Sequence, residues 1–302
     1  MHLWFCGTRG STPSPGAPFA RYGGHTSCVA LGHDEDPPSL VLDAGIGLRN
    51  LDRLLGSDPF EGTIVLGHLH WDHTHGLPFF RAASRPGHRT RVLLPEQGVD
   101  AERLLERAIS PPHFPVTPRQ LGDNWSFGAL DEGEHLIEGF SVRALEIPHK
   151  GGRTFGYRVS DGEASIAYLS DHCPMALGAG EKGFGVLHEA ARSLAGGVDL
   201  LVHDAQYLAS ELSEHWVFGH SSPDYAVELG AAAGSNEVVF FHHAQERTDT
   251  ELDVLADEHA GGPVPVRVAF EGLALEVGKT PPGRGARAPE SPVAVTAWDT
   301  QS

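Results

Sequence analysis

The chain has 302 residues, 40% of them hydrophobic, which is enough for one large packed domain or two small ones. Acidic residues outnumber basic ones 40 to 22, a net charge of −18, so long nucleic-acid partners are disfavoured, although a local basic patch stays open. No apolar run approaches the roughly 18 residues of a membrane span, and the opening MHLWFCGTRG lacks the basic and apolar regions of a secretory signal. A cytoplasmic protein with no membrane partner is therefore expected. The three cysteines, Cys6, Cys28 and Cys173, form no CxxC, so a disulfide framework or thiolate zinc site is not expected and a reducing compartment fits. Histidine is abundant at 19 residues; a metal would be held by nitrogen and carboxylate oxygen.

In chain order, strand-like runs come first: HLWFC, SCVALGH and SLVLDAG. A helix-like LRNLDRLL and the strand-like TIVLGH follow, then a helix-like stretch over 99–109. Prolines and turn residues make 110–123 a loop. Strands resume at FSVRALEIPH, TFGYRVS and ASIAYLSD. Helices and strands then alternate through LHEAARSLA, VDLLVHDA, SPDYAVELGAAAG, EVVFFHH, TELDVLADEHA, VPVRVAF and LALEV. Early strands followed by interleaved helices suggest two sheets covered by helices. Past Lys279 the periodicity is lost and Pro and Gly rise. The expected organisation is thus one domain over 1–278 and a disordered tail over 279–302.

His-bearing segments end strand after strand: TIVLGHLH, ALEIPH, AYLSDH, LLVHDA and VVFFHH. Strand ends are rigid platforms on which ligands can converge. Densest is HLHWDHTH, with four histidines and an aspartate in eight residues, His68 to His75. In an extended segment residues two apart share a side, so His68 and His70 can grip one ion. Asp72 and His73, at the turn, can face a second. Such a set suits zinc and also manganese or iron. Further ligands are available at His149, Asp171 and His242, with His243 the rival of His242 because adjacent strand residues point opposite ways.

With these residues in view, HxHxDH followed by an isolated His, a strand-end Asp and a late His resembles the metallo-β-lactamase fold. The resemblance runs over about residues 1–276, with GTRGSTPSPG, RYGGHTSC, LVLDAG, HLHWDHTHGLPFF, HKGGRTFGYR, YLSDH, HDAQYL, GHSSPDYA and FFHHAQERTD in the expected order. Within that superfamily it is most similar to the phosphodiesterase branch, with ribonuclease Z and phosphoribosyl cyclic phosphodiesterase. The resemblance implies an α/β fold, a metallo-β-lactamase-like αββα sandwich of two mixed sheets flanked by helices. It also implies two divalent metal ions, Zn or Mn with Fe as an option. His68, His70 and His149 would hold the first, Asp72, His73 and His242 the second, and Asp171 would bridge them. Asp43 would orient the ligand loop. His25 stands where the branch usually has Asn. A homodimer is left open, since the branch often dimerises.

The relatives carry an acid-bearing strand end and an HST-like turn where this chain has His203-Asp204-Ala205 and Gly219-His220-Ser221-Ser222. His220 is thus the candidate general acid for the leaving alkoxide and Asp204 its orienting carboxylate; with Asp72 they make the expected catalytic set. The alternative is that His220 and Ser221 merely start and cap a helix. A metal-bridging hydroxide is the expected nucleophile. Only 22 positions separate His149 from Asp171, too few for a large tRNA-gripping arm. The expected activity is therefore a dinuclear phosphodiesterase on a small or cyclic nucleotide-like phosphodiester. Loop 110–123 could line the pocket, with His113, Phe114 and Trp125 as stacking candidates. Rival readings are a lactonase or amidase of the same fold, a ribonuclease Z-type endonuclease, and a non-enzymatic metal binder.

Overall fold

The computed structural model describes residues 1–34 and 36–293. Its strands are β1 (His2–Gly7), β2 (Cys28–Gly32), β3 (Leu40–Leu42), β4 (Glu61–Val65), β5 (Arg89–Pro95), β6 (Trp125–Leu130), β7 (Gly133–Ile137), β8 (Phe140–Glu146), β9 (Phe155–Ser160), β10 (Ser165–Leu169), β11 (Leu200–Asp204), β12 (Val238–Phe241), β13 (Val266–Val268) and β14 (Ala274–Glu276). They form two seven-stranded sheets, ordered β14-β1-β2-β3-β4-β5-β6 and β13-β12-β11-β10-β9-β8-β7. Each sheet is mixed, antiparallel in one half and parallel in the other.

Side-chain alternation explains the layering. Leu3 and Phe5 of β1, and Leu40 and Leu42 of β3, join Val142, Tyr168 and Val202 in the core shared by the sheets. Their neighbours Trp4, Cys6 and Val41 face the other way. There they meet helix α1 (Leu48–Leu54), through Leu48 and Leu51, and a second helix at Ala101–Glu106 through Leu104 and Leu105. β10, β11 and β12 are buried along their whole length, as parallel strands covered on both faces must be. Helix α2 (Pro223–Ala233) contributes Tyr225, Ala226 and Leu229 to the shared core. The two-sheet sandwich implied by the resemblance is the observed fold.

Two expectations change. β5, β6 and β7 were not anticipated as strands; Trp125, taken as a pocket residue, lies in β6, stacks on Phe127 and donates its indole N–H to Ala83 O at 2.9 Å. The stretch 279–293 is not a free tail. Gly283 N donates to Glu237 at 2.8 Å, Val268 N donates to Ala286 O at 2.9 Å, and Ala288 is buried. Backbone pairing with β13 and the Glu237 carboxylate hold a segment whose composition alone signals disorder. Residues 294–302 of the expected tail lie outside the described residues.

Topology also collects the strand ends. β8 is antiparallel to β9 and β9 to β10, so β8 runs the same way as β10, β11 and β12. His149, Asp171, Asp204 and His242 therefore leave the carboxyl end of one sheet, while Asp43 and His68 leave the parallel strands β3 and β4 of the other. In open α/β sheets this edge is where ligands bind.

Candidate metal centre

Four groups of candidate ligand atoms lie at this edge among the described residues, each confined within 4.8 Å; two are built from the motif residues, His68, His70 and His149, and Asp72, His73, Asp171 and His242, and two bring in His220, with His149 and Asp171 and with Asp204 and His242. In the first, the His68 ring centroid is 4.3 Å from that of His70 and 4.7 Å from that of His149. His149 Nδ1–H donates to Gly219 O at 2.7 Å, which leaves Nε2 bare and 3.4 Å from His70 Nδ1. Gly219 has φ 99°, and a Cβ there would lie 2.8 Å from His149 Nδ1, so glycine is required by both conformation and space. Burial lowers the pKa of all three imidazoles, that of His149 to about 4, so they present lone pairs at neutral pH.

Asp171 joins the groups through opposite oxygens. Its Oδ1 is 3.9 Å from His68 Nε2 and 3.7 Å from His149 Nε2; its Oδ2 is 3.0 Å from His73 Nε2 and 3.5 Å from His242 Nε2. Asp72 Oδ2 lies 3.2 Å from His73 Nε2 and 3.1 Å from His242 Nε2, and accepts Ser11 N–H at 2.7 Å. Burial would push both carboxyls up, but the surrounding imidazoles hold them well below the ordinary range. Burial likewise pushes His73 and His242 down, and Asp171 and Asp72 outweigh it in both.

The donor set fits divalent metal. Both ring nitrogens of His68 and both oxygens of Asp171 are buried without a hydrogen-bond partner. Leaving such atoms unsatisfied costs about 1–3 kcal/mol each, more for a charged group, whereas a cation would satisfy them together. Asp43, at φ 65°, holds the cluster from behind: Oδ1 accepts Gly67 N–H at 2.7 Å, and Oδ2 accepts Tyr168 Oη–H at 2.8 Å and Ser170 Oγ–H at 3.1 Å. Oδ2 also lies 2.8 Å from His73 Nδ1, which leaves Nε2 facing the other ligand atoms.

Beside the ligand groups, His220 Nδ1–H donates to Asp204 Oδ2 at 3.0 Å. The same carboxylate accepts the N–H groups of His172 at 3.2 Å and Gln206 at 3.0 Å, so its position is fixed. His220 is buried but lines a cleft of about 740 Å³ together with His70, Asp72 and Asp171. Ser222, not Ser221, caps α2 by accepting Tyr225 N–H at 3.2 Å, so His220 sits in the turn before the helix and its side chain is free of capping.

The family described as "Beta-lactamase superfamily domain" matches residues 39–243, more than half of the chain. The chain belongs to the beta-lactamase superfamily. A curated relative, ribonuclease Z of Staphylococcus carnosus, is 24% identical over 304 aligned residues covering 85% of this chain and 93% of its own. Among solved structures, the metallo-β-lactamase fold protein YhfI of Bacillus subtilis superposes with a TM-score of 0.68 at 15% identity, covering 91% of this chain and 98% of its own. A diphosphatase from the PhnP family gives 0.66 at 19% identity, covering 91% and 97%. The molecule is thus a metal-dependent hydrolase of the metallo-β-lactamase fold.

Within this superfamily fold, the remaining sequence candidates sort by contact. His242 reaches Asp72 from φ 57°, while His243 turns away and donates to Ala269 O at 2.8 Å. His25 is tied to Glu271, with Nδ1 2.8 Å from Oε2. His75 stacks on Trp71, centroids 5.4 Å apart, outside both ligand groups. Phe114 meets Phe79 edge-on, and neither it, His113 nor Trp125 lines the cleft. The rim instead carries Trp71, 66% exposed, Phe218, 56% exposed, Tyr207 and His215, none of them anticipated. A tryptophan between two ligands in HLHWDH was the one available signal. Also unforeseen were Tyr168 and Ser170 under Asp43, and a buried imidazole pair: His203 Nδ1–H donates to Asp204 O at 2.8 Å, and His172 Nδ1 is 3.0 Å from His203 Nε2. No helix among the described residues is long and apolar enough to cross a membrane.

Proposed function

We infer that this hydrolase is a phosphodiesterase acting on a small or cyclic nucleotide-like phosphodiester. The observation that carries the reading is the His220–Asp204 pair beside the ligand groups, an acid and its orienting carboxylate that hydrolysis of a strained lactone does not need. His68, His70 and His149 would hold one divalent ion, Asp72, His73 and His242 another, with Asp171 between them. When bound, such ions supply Lewis acidity toward the phosphoryl oxygens and lower the pKa of a water.

The residues do the rest. Asp204 keeps the His220 ring turned with Nδ1–H inward, so the proton for the leaving oxygen comes from Nε2. Protonation of that alkoxide as the P–O bond breaks removes its charge. Asp43 keeps His73 from rotating. Trp71, Tyr207 and Phe218 at the cleft rim offer flat apolar faces to a base or aryl substituent. No Lys or Arg lines the cleft, which favours a small substrate over a long RNA backbone. The similarity to a protein named ribonuclease Z, over 85% of this chain, supports phosphodiester chemistry and keeps an endonuclease as the second reading.

The test is hydrolysis of bis(p-nitrophenyl) phosphate by protein refilled with Zn or Mn. Metal-dependent turnover is expected, and on a cyclic nucleotide phosphodiester, whose alkoxide leaving group needs a proton, His220→Ala lowers kcat about 10²–10⁴-fold. Cyclic-nucleotide turnover that survives His220→Ala unchanged moves the reading to lactones and amides.

A further inference from the structure

A second cleft, larger than the one over the ligand groups, lies elsewhere. It has a volume of about 890 Å³ and shares no lining residue with the cleft over the ligand groups. Arg49 and Arg53, four apart on α1, and Arg81 and Arg85, four apart across the short helical turn Arg81–Ser84, all line it. Eight other arginines pair with carboxylates. These four have no carboxylate within 4.0 Å among the described residues, in a chain with 40 acidic groups to 22 basic ones. Two of them are steadied by neutral acceptors: Arg53 donates to Asn50 Oδ1 at 2.7 Å and Arg85 to the Asp58 carbonyl.

Asp52, the one acid in the cleft wall, is committed to the scaffold. Its carboxylate accepts the backbone N–H of Arg81 at 3.1 Å and of Ala82 at 2.7 Å, which clamps the second arginine pair against the first. Asp52 also faces Arg81 and Arg85 electrostatically, but one carboxylate against four guanidinium groups leaves an excess of positive charge, which a polyanion entering the cleft would offset. Guanidinium forks match phosphate oxygens two at a time. Phe79, 54% exposed, also lines the cleft and offers a ring face to a base.

We propose that this cleft is a second ligand site that binds a nucleoside di- or triphosphate, its phosphates on Arg49, Arg53, Arg81 and Arg85 and its base on Phe79. The site is independent of the hydrolytic reading, since it shares no residue with that centre. A compact ligand fits better than a strand, because the strong negative charge of the rest of the chain opposes an extended phosphate backbone.

Isothermal titration of the metal-loaded protein with ATP, tripolyphosphate and a single-stranded RNA oligonucleotide tests it. ATP and tripolyphosphate are expected to bind. The double variant Arg53→Ala/Arg81→Ala weakens both by about tenfold or more, and Arg53→Lys/Arg81→Lys recovers only part of the loss. Phe79→Ala weakens ATP and spares tripolyphosphate. Hydrolysis of bis(p-nitrophenyl) phosphate is unchanged in every variant, so loss of binding is separable from failure of the active-site reading. No binding of ATP, or binding untouched by the arginine substitutions, overturns the proposal. Binding of RNA without ATP assigns the cleft to a strand and overturns it as well.

Discussion

Asp43 concentrates the cost and the benefit of the centre in one side chain. A non-glycine residue at φ 65° costs on the order of 1–3 kcal/mol, and Asp is among the few that tolerate it. In return one carboxylate gathers Gly67 N–H, two hydroxyls and the His73 ring. Asp43→Asn keeps the shape but not the charge or the second acceptor oxygen. The expected result is metal affinity lower by about 10–100-fold, read by competition with a chromogenic chelator; unchanged affinity would show that His73 needs no such partner. Dense ligand runs such as HLHWDH were legible from residue types alone. The choice between His242 and His243 was not, because alternation says only that they point apart. The left-handed turn at His242 swings that ring to Asp72 and the Ala269 carbonyl takes the other, which favours His242 as the candidate ligand.

At the scale of elements, the centre depends on strands ending at one edge and on one helix starting there. α2 begins at Pro223, and the preceding turn carries His220. Ser222→Ala removes the cap and is expected to cost about 1 kcal/mol in urea denaturation. Because the cap anchors that turn, kcat should fall more than KM changes; equal kinetics with lower stability would separate the helix from the acid. Helices and buried strands were readable because their apolar spacing is strong. β5, β6 and β7 were not, for a physical reason: β6 and β7 lie at sheet edges with half-exposed faces, and β5 alternates Arg89 and Arg91 with buried residues outside any motif. Their pairing, rather than their composition, makes them strands.

For the whole molecule, the candidate ligands come from both sheets. Asp72 and His73 follow β4 of one; His149, Asp171 and His242 follow β8, β10 and β12 of the other. Metal bound by these residues would therefore tie the two layers together, and binding to the folded state alone raises stability by mass action. Chelation is expected to lower the calorimetric melting temperature, with recovery on metal addition; a melting temperature indifferent to chelator would mean the layers hold without ions. A sandwich and its ligand edge could be read from the order of motifs. The packing of 279–293 could not, since it rests on backbone partners in a distant strand. That packing has a consequence for solubility. Ala286 occupies hydrogen-bonding positions on the outer side of β13 that would otherwise stay open. An uncovered strand edge is a template for another chain. The proline-rich stretch thus acts as a guard against polymerisation, and a chain cut after Gly278 would offer its second sheet to the next copy.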